Sequence, residues 1–105
     1  MARPLPRKLG AYLRKVRSLV GTHGRGIYLF GSRATGSERP NSDFDIAIFL
    51  DDDAPLRKMR RAASDAAFRF VVQDYEIRPV VLRHSVLHSD SQFARHVREV
   101  GLRLA

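Results

Sequence analysis

A chain of 105 residues, 44% of them hydrophobic, makes one domain around one modest core. It has 19 Lys and Arg against 11 Asp and Glu, a formal charge of +8, which favours anionic ligands and disfavours polycationic ones such as aminoglycosides. With no Cys there are no disulfides, thiolate metal sites or cysteine nucleophiles. No stretch approaches a membrane span and no apolar signal core follows the N-terminus, so the expected compartment is the cytoplasm.

In chain order, Leu5, Leu9, Tyr12, Leu13, Val16, Leu19 and Val20 recur at helical spacing, which predicts a helix over about 4–20, ending near Gly21 to Gly24. Ile27 to Phe30 reads as a buried strand stopping at Gly31. From Ser32 to Ser42 the composition turns to Gly, Ser, Thr, Pro and Asn, a loop with a short helical turn near Arg33 and Ala34. The next segment alternates: Phe44, Ile46, Ile48 and Leu50 point one way, Asp43, Asp45, Ala47 and Phe49 the other. A helix follows over about Pro55 to Val72, with Leu56, Met59, Ala63, Ala66 or Ala67, and Phe70 inward. Asp51, Asp52 and Asp53 precede it, where carboxylates favour the positive helix end. A strand over Tyr75 to Leu82 contains Pro79, which implies a sheet edge or a bulge. A last helix over about 91–100 turns Phe93 and Val97 inward and stops at Gly101. The order predicts an α/β (α+β) fold: one small mixed β-sheet with helices packed on one face, and Asp43 and Asp45 on the other.

The chemistry lies in Gly31 to Asp45, G-S-R-A-T-G-S-E-R-P-N-S-D-F-D. Carboxylates at i and i+2 of a strand share a face, roughly 5–7 Å apart at their roots. Magnesium takes one or two such carboxylates together with phosphate oxygens and water. Upstream, a strand ending in Gly31-Ser32 exposes backbone amides where a Cβ would block a phosphate, and Gly36 keeps the next turn open. No His or Lys base is evidently paired with Ser32, so phosphate contact is favoured over a nucleophilic role.

This pattern, G-S, a second Gly and then S-D-x-D, resembles the signature of the polymerase-β-like nucleotidyltransferases. The stretch F-G-S-R-A-T-G-S, the strand E-I-R-P-V-V-L and the closing F-A-R-H-V-R-E-V-G-L-R-L are similar to their smallest members, the minimal nucleotidyltransferase (MNT) domains. The resemblance spans roughly residues 25 to 104 of a single domain, 1–105, with its motif core at 25–82. It implies transfer of AMP from ATP to a hydroxyl acceptor. Asp43 and Asp45 would hold two magnesium ions, with Glu76 as third carboxylate. Gly31 and Ser32 would contact the triphosphate, with Arg33, Gly36 and Ser42 beside them. MNT domains often serve as antitoxins to HEPN ribonuclease toxins, which implies a protein partner and a possible oligomer.

Glu76 stands where the family usually has Asp, and its extra methylene displaces the carboxylate, so turnover is expected to drop while binding survives. An ion pair with Arg78 is its competing structural reading. Two rivals to the enzyme follow: an antitoxin acting by occlusion, and a basic nucleic-acid-binding or tRNA-directed protein, the latter motivated by the absence of any acid before Glu38. Arg57, Lys58, Arg60 and Arg61 read as a solvated helix face, Tyr12, Tyr28 and Tyr75 as packing residues, and the four His as surface or interface residues.

Overall fold

The computed structural model describes residues 7–35, 43–70 and 76–105. Leu5, Gly36, Arg39, Ser42, Asp74 and Tyr75 lie outside them, as do the side chains of Lys8 and Ser32.

Helix α1 (Arg7–Val20) buries Leu9, Tyr12 and Val16 fully and Leu13 and Val20 nearly so, the stripe its periodicity requires. A short 3-10 turn, Gly21–His23, leads into β1 (Gly24–Phe30), then the one-turn helix α2 (Ser32–Thr35) and β2 (Phe44–Leu50). Helix α3 (Leu56–Arg69) buries Ala63, Ala66 and Ala67 and is followed by β3 (Ile77–Arg83). The chain closes through the one-turn helix α4 (His84–Leu87), α5 (Gln92–Val100) and β4 (Leu102–Arg103).

The strands form one mixed sheet in the order β3-β2-β1-β4, with β2 antiparallel to β1 and parallel to β3. Phe44, Ile46, Ile48 and Leu50 of β2 pack with Ile27, Leu29, Ile77 and Val81 against α1 and α3. Tyr12 ties that layer together: its ring is wholly buried, its hydroxyl donates to the Ala63 carbonyl at 3.1 Å, and it meets Phe70 edge-on at 6.0 Å. Burial pushes its phenol far above the ordinary tyrosine range, so it stays a neutral donor.

Helices on one face account for α1 and α3 only. Ala47 and Phe49 are also fully buried, and α4 and α5 supply their cover through Leu87 and Val97. Tyr28, Phe30, Leu82 and Phe93 complete this second cluster, with edge-to-face contacts at Tyr28–Phe49 (5.7 Å) and Phe30–Phe93 (5.2 Å). A strand with apolar residues at both parities along part of its length needs cover on both faces there. Ser91 caps α5 by accepting the Ala94 amide at 3.1 Å. At the other end, a Cβ built on Gly101 would crowd the Val97 carbonyl, 3.2 Å from its carbon, so glycine is what lets β4 follow directly.

Pro79 falls on an edge strand, as its chemistry demands. The Phe44 amide donates to the Glu76 carbonyl at 2.9 Å, and this phase of the ladder turns the backbone groups of Ile77, Pro79 and Val81 away from β2. The missing N–H of Pro79 is therefore not lost from the sheet, and the outward Val81 carbonyl accepts from Nε of Arg60 at 3.0 Å. At the far end of β2, Asp51 turns to His23 (2.9 Å) and Arg25 (3.4 Å) rather than to the start of α3. The hydrogen bond with His23, aided by Arg25, holds its carboxyl below the ordinary aspartate range. Arg83 of β3 bonds the carbonyls of Asp51, Asp52 and Ala54 at 3.1, 2.7 and 3.3 Å, locking that corner.

Replacing Tyr12 by Phe keeps the packing and deletes one buried hydrogen bond. Urea denaturation should show a loss of roughly 0.5–1.5 kcal/mol with an unchanged slope.

Candidate active site

Asp43 sits immediately before β2 and Asp45 inside it, so both carboxylates emerge on the face opposite Phe44 and Ile46. Three neighbours define this corner. Phe30, the last residue of β1, is the register partner of Asp45; on the other side, β3 sets Arg78 opposite Asp45 and begins just after Glu76. Helix α5 covers the middle of this face through Val97 and Phe93, which leaves the Asp43–Asp45 end open.

Gly31 is the tightest element. Its φ of 73° lies in the left-handed region, and a Cβ there would collide with Oδ2 of Asp45 and stand 3.3 Å from its Cγ. The Gly31 carbonyl then accepts from the amides of Ala34 (3.1 Å) and Thr35 (3.3 Å), which winds α2 directly onto the end of β1. The glycine bend thus lies against one of the two paired carboxylates.

Asp43 accepts the backbone amide of Glu76 on Oδ1 at 3.1 Å and faces Nη1 of Arg78 from Oδ2 at 3.7 Å. Asp45 is pushed above the ordinary aspartate range, chiefly by desolvation; Arg78 opposes the shift and Asp43 adds to it. A partly desolvated carboxylate beside a second one is a strong attractor for a hard cation. The donor set fits magnesium in chemistry: hard carboxylate oxygens, one from β2 and one from the residue just before it.

Other predicted residues are placed less centrally. Glu76 is exposed, and it is its amide, not its carboxylate, that touches Asp43. Among the described residues no group of three or more His, Asp or Glu is gathered closely enough to hold a metal ion. Arg78 pairs with Asp43 rather than with Glu76. The guanidinium of Arg33 lies 4.4 Å over the ring of Phe44, whose side chain belongs to the opposite, core face. Ser32 begins α2 directly after Gly31. Gly36 and Ser42 fall outside the described residues. Arg78 is the site residue that motif reading passed over; its parity with Glu76 was visible, but which carboxylate it would choose depended on strand register.

With that geometry in place, the sequence matches the family model "Polymerase beta, Nucleotidyltransferase" over residues 22–97. The chain belongs to the polymerase beta nucleotidyltransferase family. No curated protein matches the sequence. Among solved structures, this nucleotidyltransferase is similar to a chain in a crystal structure of a toxin–antitoxin with AMP-PNP. The TM-score is 0.62 at 24% identity, covering 95% of this chain and 73% of that one. It is also similar to a protein of Sulfolobus solfataricus assigned to the nucleotidyltransferases, with a TM-score of 0.51 at 17% identity over 95% and 87% of the two chains. At these identities the likeness is one of fold.

Two outcomes follow from the corner's geometry. Gly31→Ala should destabilise the domain by at least the roughly 1–3 kcal/mol of a strained φ, measured by denaturant unfolding; a silent substitution would mean that β1 and Asp45 do not meet as described. The raised pKa of Asp45 means that its ionised form opposes folding. The group favours the native state at pH below the ordinary aspartate range, and that contribution is lost as pH rises through its elevated folded value. Asp45→Asn is accordingly expected to melt at higher temperature than the parent at neutral pH, the gap narrowing in acid, by thermal melts across pH.

Proposed function

We propose that this nucleotidyltransferase moves a nucleoside monophosphate, AMP from ATP, onto an acceptor hydroxyl and releases pyrophosphate. The observation that carries the reading is the corner itself: Asp43 and Asp45 on one face of β2, with the Gly31 bend pressed against Asp45. The presence of AMP-PNP in the toxin–antitoxin neighbour supports a nucleotide with an adenine base.

In this reading Asp43 and Asp45 hold magnesium, two ions by family resemblance, and their fixed spacing on a strand keeps the ligands from collapsing onto each other. Bound magnesium would neutralise the polyphosphate and stabilise the charge that grows on the leaving group. The amides after Gly31, with Ser32 and, by family resemblance, Gly36 and Ser42, would receive the triphosphate. Arg33 would join them by leaving Phe44. Arg78, which faces Asp43 and is largely exposed, would give way to a cation held there. Glu76 accepts the acceptor's proton; the acceptor oxygen bonds to the α-phosphorus, the bridge between α- and β-phosphates breaks, and pyrophosphate departs with the electron pair. The acceptor belongs to a partner protein, a HEPN-type toxin in the cytoplasm, the chain acting as its antitoxin.

A second reading is favoured by two observations: Glu76 is exposed, and Arg78 faces Asp43. An antitoxin of this build would neutralise its toxin by occlusion, with slow or absent turnover.

Incubating the chain and a HEPN partner with α-labelled ATP and magnesium should label the partner, and Asp43→Asn should reduce the label to background while the fold persists by circular dichroism. Undiminished labelling by that variant sinks the site. Co-expression of Asp43→Asn with the toxin separates the two readings: loss of neutralisation with an intact complex requires chemistry, and retained neutralisation means that binding suffices.

A further inference from the structure

The arginines of this chain divide by what they do. Arg60, Arg83 and Arg98 bond to backbone carbonyls, and Arg25 and Arg78 face carboxylates. These hold the fold. A second set does not. Arg14 and Arg17 on α1, and Arg57 and Arg61 on α3, are exposed, and among the described residues no ion pair or hydrogen bond engages their guanidinium groups.

Both helices lie on the same side of the sheet, packed to each other through Tyr12 and Ala63. Arg14, Arg57 and Arg61 are exposed on this helical layer, whereas Arg17 lies at its rim, lining a cavity with Arg25, Arg103 and Ala105 beside β1. Helix α1 carries no acidic residue, and α3 carries only Asp65. This charge faces away from the carboxylate corner, which opens on the opposite side of the sheet.

One residue on this layer is out of character. Phe68 is 85% exposed, in a chain where most other large apolar side chains are at least half covered. It follows Arg57 by eleven residues and Arg61 by seven, so the three align along one stripe of α3. Guanidinium forks suit phosphate oxygens, and a bare aromatic ring among them is the partner a nucleobase face requires. An acidic protein surface would satisfy the arginines and leave the ring without a matching group. A duplex would present phosphates but keep its bases stacked inside.

We propose that the outer face of α1 and α3 binds single-stranded nucleic acid, with Arg14, Arg57 and Arg61 on the phosphates and Phe68 stacked on a base. The surface is separate from the nucleotide corner and stands whether or not that corner is catalytic. It would hold the protein, and whatever partner it carries, on RNA while the other face remains free.

The test is fluorescence anisotropy of the full chain with a labelled single-stranded RNA of about 20 nucleotides, across a salt series. Log affinity should fall linearly with log salt, and Arg57→Ala with Arg61→Ala should flatten the slope by about 1.4. Phe68→Ala should weaken binding roughly 5- to 100-fold with little change in the slope. Excess ATP with magnesium should leave the RNA in place. The proposal is overturned by RNA that ATP displaces, by binding indifferent to both variants, or by polyglutamate competing as well as unlabelled RNA, which would assign the surface to an acidic protein. None of these failures bears on the labelling experiment at Asp43.

Discussion

The site depends on one steric fact: β1 ends so close to β2 that only a residue without a side chain can turn there. Phe30 is the register partner of Asp45, and the next residue must reverse direction against that carboxylate. Gly31 meets both demands, a positive φ and no Cβ. The same bend winds α2 onto the strand end, so backbone amides and paired carboxylates arrive in one place by one piece of geometry. A bend one residue earlier or later would lie against a different residue of β2, and the amides and the carboxylates would no longer meet.

The two faces of β2 show how a small domain divides its resources. One face is given wholly to packing, with Phe44, Ile46, Ile48 and Leu50 all buried. The other is split along its length: Ala47 and Phe49 are sealed by α4 and α5, and the two aspartates are left at the open end. Asp45 is consequently strained in an electrostatic sense, desolvated and close to a second negative charge. Arg78 relieves part of that strain at the edge, 66% exposed and therefore free to move. Stability is lower than it could be at this corner, a compromise common at functional sites.

Much of this was legible in the order of residues. Alternation in Asp43 to Leu50 revealed which side chains share a face, the stripe in α1 named its buried positions, and Pro79 limited β3 to an edge or a bulge. Those signals are local, and periodicity reports them directly. What escaped reading was relational. Phe93 and Val97 announced an inward side of α5 but not which face of the sheet they would cover. Strand β4 is two residues long, too short for any alternation, and exists because Tyr28 and Leu29 offer an open ladder beside it. That Arg78 would choose Asp43 over Glu76, and that Arg33 would lie on Phe44, depended on register and on the path of α2, neither of which a spacing rule contains.

The sheet's borders carry a last consequence. On one side, the tail from Leu102 bonds to β1, the Leu104 amide reaching the Ile27 carbonyl at 2.7 Å. On the other, Pro79 offers no donor and Arg60 occupies the Val81 carbonyl. A visiting peptide therefore finds little backbone to zip onto at either rim. Among the described residues neither rim favours strand addition, so a partner would dock on preformed surfaces, side chain against side chain, with no strand exchanged.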